Sequence, residues 1–188
     1  MQISALVTSG EADIAIATEA FEQFPELILL PCYQWNRCVV VPSKHPLLKL
    51  KELTLEAINQ YPIITYDFAF TGRSKINQAF ASRGLEPNVI LTAIDSDVIK
   101  TYVELGLGVG ILANMAFDPK RDKNLRSIDA SHLFEPSTTR IGISRNNYIR
   151  GYIFDFIEMF SPHLNRASIQ AKLEGSKNGH MDLQIDSQ

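Results

Sequence analysis

Apolar and polar positions alternate along this chain in two distinct rhythms. Ala12-Asp13-Ile14-Ala15-Ile16-Ala17 is short, nearly apolar and partly β-branched, the signature of a buried strand in a parallel sheet. Residues 26–31 and 36–42 are further strand candidates, the second built on Val39-Val40-Val41. Residues 61–66, 88–93, 109–112, 125–128 and 139–144 continue the series. Between them lie helical stretches. Thr54 predicts a cap on a short helix at 54–58. Residues 72–83 predict a helix ended by Gly84, and Asp95 opens one that Gly106 ends. Over 148–160 the residues Ile149, Ile153, Phe156, Ile157 and Phe160 share one helical face. Residues 2–9 have helical spacing at Ile3, Leu6 and Val7. The tail 175–188 is polar, lacks periodicity and is expected to be disordered. Strands alternating with helices predict an α/β fold, with a mainly parallel sheet covered on both faces.

Composition narrows the class. The 188 residues carry 18 Lys and Arg against 21 Asp and Glu, a net charge of −3. A chain of this size buries roughly 70% of its unfolded surface, enough for a true core. No cluster of basic residues offers the several cations that a DNA backbone requires. The longest apolar runs fall far short of the roughly 18 residues that span a bilayer. The opening Met1-Gln2-Ile3-Ser4 has no basic or apolar leader, so a cytoplasmic protein without a membrane segment is expected. Two cysteines, Cys32 and Cys38, form neither a disulfide framework nor a four-ligand zinc site.

Candidate chemistry is sparse. The histidines at 45, 132, 163 and 180 lack metal-ligand spacing, so no metal site is expected. No nucleophile elbow or Cys–His pair occurs. Asp95 and Asp97 could form an acid–base pair, but at a helix start they read as cap and dipole partner. Gly106-Leu107-Gly108-Val109-Gly110 follows a helix and opens a strand, the reverse of a dinucleotide fingerprint. Phe70-Thr71-Gly72-Arg73-Ser74 lies after a strand and before a helix, where amides and the helix dipole favour an anion. Thr18 is a second hydroxyl at a strand end, where α/β sheets bind ligands. These residues form either an anion pocket or two unrelated caps. Tyr33 and Trp35, the only tryptophan, lie between two predicted strands and either line a pocket or anchor a core.

Five stretches together carry a resemblance. They are GEADIAIATEA (10–20), LPCYQWNRCVVVPSKHPL (30–47), FTGRS (70–74), DVIKTYVELGLGVGIL (97–112) and STTRIGISR (137–145). The chain resembles, over about residues 1–166, the effector-binding domain of LysR-type transcriptional regulators, in the CysB/Cbl branch that governs sulfur assimilation and cysteine biosynthesis. The resemblance implies two Rossmann-like lobes joined by two crossover strands, of the type 2 periplasmic-binding-protein kind. Lobe I would comprise 1–35 and 139–174, and lobe II 36–138. An effector would lie between them, contacted by Thr18, Thr71 and Gly72, with Tyr33 and Trp35 nearby. Implied effectors are sulfate, thiosulfate, N-acetylserine or O-acetylserine. No cofactor and no catalysis are implied.

The same resemblance implies that the helix-turn-helix, the linker helix and the first strand of the domain lie outside this sequence. Lobe I is then expected to be incomplete, with a free sheet edge beside 12–17 and weak or absent effector binding. DNA contact would belong to the missing part. A homodimer involving the 72–83 and 148–160 helices is a further expectation. Two other classes compete. A stand-alone solute-binding module would need an export signal. An α/β enzyme would need a base beside Thr18 or Thr71.

Overall fold

Strand pairing and helix packing divide the chain into two compact units, Met1–Gln34 with Thr138–Gln188, and Trp35–Ser137. The computed structural model describes residues 2–18, 24–67, 73–146 and 148–178. Both unit boundaries fall one residue before those expected, so Trp35 belongs to the second unit and Thr138 to the first.

The first unit opens with helix α1 (Gln2–Ser9), followed by strand β1 (Ala15–Ala17) and strand β2 (Leu27–Trp35). It resumes with strand β8 (Ser137–Ser144) and closes with helices α5 (Gly151–Phe160) and α6 (Arg166–Asn178). Its sheet has the order β1-β8-β2. β1 runs antiparallel to β8, with Ala17 opposite Arg140. Leu30 and Cys32 of β2 and Ile141 and Ile143 of β8 pack against Ile153, Phe154 and Ile157 of α5 and Ile169 of α6. Val7 of α1 packs with Ala15 and Leu27 in a separate cluster. Burying each of these large apolar side chains contributes about 1.5–3 kcal/mol.

The second unit contains strand β3 (Arg37–Pro42), helix α2 (Leu55–Ile58), strand β4 (Ile63–Tyr66) and helix α3 (Arg73–Ser82). Strand β5 (Val89–Ala93), helix α4 (Ser96–Glu104) and strands β6 (Val109–Ala113) and β7 (Leu125–Asp129) follow. Its sheet order is β5-β4-β6-β3-β7. Alternate residues serve opposite faces. Val39, Ile63 and Ile111 meet Ile58 and Phe80 on one side, and Val40, Ile64 and Leu112 meet Ile99 and Val103 on the other. Apolar residues at every β3 position from 38 to 41 follow directly from this double coverage.

The α/β class holds, but the second unit's sheet is mixed rather than mainly parallel, and β1 of the first unit runs antiparallel to β8. β4 is parallel to β5 and β6, while β3 is antiparallel to both β6 and β7. The parallel pairs are those wound through helices. β3 arrives along the chain from β2 and runs against them. Residues 32–35, expected as a connection, are strand, with only Asn36 separating β2 from β3. Residues 175–178, expected within a disordered tail, belong to α6. That helix is held by the buried Ile169 rather than by a regular apolar stripe. Residues 179–188 lie outside the described residues.

Local signals behave as the sequence predicts. The Thr54 hydroxyl accepts the Ala57 amide at 3.2 Å, and Asp95 accepts the Val98 amide at 2.9 Å. Gly106 takes φ +83° at the end of α4. Gly108 serves a different need. A Cβ there would lie 2.3 Å from the Pro62 carbonyl oxygen, which accepts the Val109 amide at 2.8 Å. The glycine-rich run is therefore a helix stop and a close strand approach.

Candidate effector-binding site

Thr18 directly follows β1 and is 6% exposed. Among the described residues its Oγ1 has no hydrogen-bond partner. An orphaned buried hydroxyl costs about 1–3 kcal/mol, so it calls for a physical reason. A donor kept dry at a strand end is what an oxyanion subsite requires.

Tyr33 lies on β2, the outer strand opposite β1 in the same sheet. Cys32 beside it points into the core, whereas Tyr33 is exposed. The Tyr33 ring tilts against Phe160 at 5.7 Å, and Phe160 stacks on Phe156 at 6.0 Å. The backbone beneath is pinned to the end of α5. Ser161 Oγ donates to the Cys32 carbonyl at 3.2 Å, and His163 Nε2 lies 3.1 Å from the Pro31 carbonyl. A carbonyl only accepts, so that nitrogen carries the proton. Tyr33 is thus an exposed aromatic on a fixed backbone.

Trp35 ends β2 and lies in the second unit. The Arg37 guanidinium sits 5.1 Å from its ring centroid. Arg37 is 2% exposed and donates to the Glu135 carbonyl at 2.9 Å and the Ser137 hydroxyl at 2.8 Å. This ties the start of β3 to the start of β8. Thr71 and Gly72 lie outside the described residues.

Two arginines escaped the sequence reading of the site. Arg37 heads a wholly apolar strand, and a charge in that position was the available signal. Arg73 stood in the FTGRS motif itself. It opens α3 and is 9% exposed, with Nε donating to Asn77 Oδ1 at 3.0 Å and Nη1 to the Tyr66 carbonyl at 3.4 Å. Burial lowers its pKa, and the charge of Asp67 opposes that shift. Thr65, on the same strand end, spends its hydroxyl on the Ile111 carbonyl at 2.9 Å.

Among the described residues no group of three or more His, Cys, Asp or Glu could hold a metal ion. Both cysteines are free and buried, and burial pushes their thiols up, away from the reactive thiolate. Asp95 caps α4 and Asp97 pairs with Lys100 at 3.0 Å, so they form no acid–base dyad. A groove of about 550 Å³ in the first unit, lined by Ser144, Arg145, Phe154 and Arg166 among others, contains none of the predicted site residues. No helix among the described residues is long and apolar enough to cross a membrane.

Two α/β units linked by consecutive strands are the architecture of a type 2 periplasmic-binding-like fold. The LysR substrate binding domain matches residues 1–165, and the chain belongs to that family. It is 55% identical over 172 residues to the HTH-type transcriptional regulator SsuR of Burkholderia cenocepacia, covering 92% of this chain and 56% of that protein. It is 52% identical over 179 residues to CysB of the same species, covering 95% of this chain and 57% of the relative. The crystal structure of the cofactor-binding domain of the Cbl transcriptional regulator matches with a TM-score of 0.86 and 41% identity, over 92% of this chain and 75% of that one. The chain is therefore a substrate-binding domain of the CysB/Cbl branch. It spans little more than half the length of these curated relatives.

Proposed function

We propose that this chain senses a small sulfur-related effector for a transcriptional regulator of sulfur assimilation. The effector is sulfate, thiosulfate, N-acetylserine or O-acetylserine. Its proposed contact residues are Thr18, Tyr33, Trp35, Thr71 and Gly72. The observation that carries this reading is the buried Thr18 hydroxyl, which has no partner among the described residues. Hydroxyls and helix-start amides hold a tetrahedral oxyanion through charge-assisted bonds of about 1.5–3 kcal/mol each. Binding shifts a conformational equilibrium by the difference in affinity between its two states. DNA contact belongs to the helix-turn-helix of the full-length regulator, which acts in the cytoplasm as a homo-oligomer. The domain performs no catalysis.

The test is calorimetry and thermal shift on the purified chain with sulfate and with each acetylserine, followed by NMR of the recovered ligand. Saturable stabilisation at millimolar ligand with the acetylserine unchanged supports the reading. No stabilisation by any of these ligands overturns it, and so does turnover of an acetylserine.

A further inference from the structure

The second unit buries three cations, Arg37, Arg73 and Lys100, and treats the last two differently. Lys100 on α4 is 8% exposed, and its Nζ lies 3.1 Å from Asp122 Oδ1 and 3.0 Å from Asp97 Oδ1. Its charge is neutralised within the fold. Arg73 is equally buried, yet both of its hydrogen-bond acceptors, Asn77 Oδ1 and the Tyr66 carbonyl, are neutral. Among the described residues its Nη2 makes no hydrogen bond, and no carboxylate stands within ion-pair distance.

Arg73 is also the first residue of α3, where the helix dipole is positive. A cation is normally disfavoured there and an anion favoured. The first turn of α3 contains no acidic residue, whereas α4 opens with Asp95 and Asp97. Among the described residues the acidic group whose charge reaches Arg73 is Asp67, and its Oδ2 accepts the Thr92 hydroxyl at 3.1 Å. Two positive features therefore coincide, and among the described residues only the charge of Asp67 opposes them, without an ion pair. A buried charge persists when an outside partner compensates it.

We propose that Arg73 is a specificity-determining residue that supplies the counter-charge for an oxyanion effector and favours anions over zwitterions. This rests on the effector reading above. Its clamp on Tyr66 and Asn77 holds the guanidinium still, so binding requires no further ordering of that side chain.

The experiment compares sulfate with zwitterionic O-acetylserine, by calorimetry on the wild-type chain, Arg73→Gln and Asp67→Asn. In Arg73→Gln, sulfate affinity falls roughly tenfold or more while O-acetylserine affinity changes less than about threefold. The dependence of sulfate affinity on ionic strength also flattens. Asp67→Asn removes the opposing carboxylate and tightens sulfate binding, which keeps the idea testable should Arg73→Gln fail to fold. A folded Arg73→Gln that binds sulfate like wild type overturns the inference, as does equal loss of both ligands. Unchanged or weaker sulfate binding in Asp67→Asn overturns it too. If wild type binds neither ligand, the effector reading itself falls with it.

Discussion

Arg37 and Ser137 stand one hundred residues apart in sequence and are joined by a 2.8 Å hydrogen bond from the guanidinium Nη2 to the serine Oγ. Arg37 opens the first strand of the second unit and Ser137 is that unit's last residue, and the same guanidinium covers the face of Trp35. Replacing Arg37 by Met leaves the Ser137 hydroxyl and the Glu135 carbonyl without this donor. The expected loss is about 2–4 kcal/mol in urea unfolding. Arg37→Lys recovers little of it, because an ammonium lacks the planar fork that reaches both acceptors.

Thr18→Val separates stability from ligand binding. The hydroxyl has no partner, so its removal leaves stability unchanged or raises it by about 1 kcal/mol. Sulfate-dependent thermal stabilisation should disappear in the same variant. Thermal melts with and without sulfate measure both effects, and a destabilised variant that still responds to sulfate contradicts the assignment.

The glycines before β6 should rank clearly. Gly108→Ala forces a Cβ against the Pro62 carbonyl and disrupts the Val109 hydrogen bond, at about 3 kcal/mol. Gly106→Ala meets no neighbouring atom and suffers only from its φ of +83°, at about 1–2 kcal/mol. Denaturant midpoints of the two variants test the order.

Lys100 gives a pH signature. Burial works against its charge, but hydrogen bonds and charges from Asp97 and Asp122 outweigh it and raise the pKa. A raised folded-state pKa means that the stabilisation is complete below the ordinary lysine value and fades as pH climbs through the folded value. The stability difference between wild type and Lys100→Met should be about 3–5 kcal/mol at neutral pH. It should stay level up to about pH 10 and shrink above that. At the acid end, hydrogen bonding to Lys100 holds the Asp97 carboxyl below its ordinary range. That contribution is present above the ordinary carboxylate value and is lost as pH falls through the lowered one. Unfolding curves across both ranges provide the check.

What the sequence disclosed was mostly local. Thr54, Asp95, Gly84 and Gly106 act within a few residues of themselves, so their roles were readable from spacing. Strand direction was not, because the antiparallel run of β3 against β6 depends on pairing residues some seventy positions apart. The burial of Arg37 was equally hidden, since its acceptors at 135 and 137 are close only in the fold. Helix α6 offers a weak apolar stripe and owes its place to Ile169 and its contacts with α5. At the site, Thr18 was legible as a hydroxyl after a strand, but its isolation became visible only once the surrounding backbone was placed. Arg73 stands in the FTGRS motif, but five letters do not reveal which charges surround it in the fold.

The two buried sulfurs give the molecule its own gauge of local opening. Cys32 belongs to the first unit and Cys38 to the second, and neither is bridged. Pulsed maleimide labelling, followed by peptide mapping, would clock each half separately and register whether a bound ligand slows breathing in one or in both.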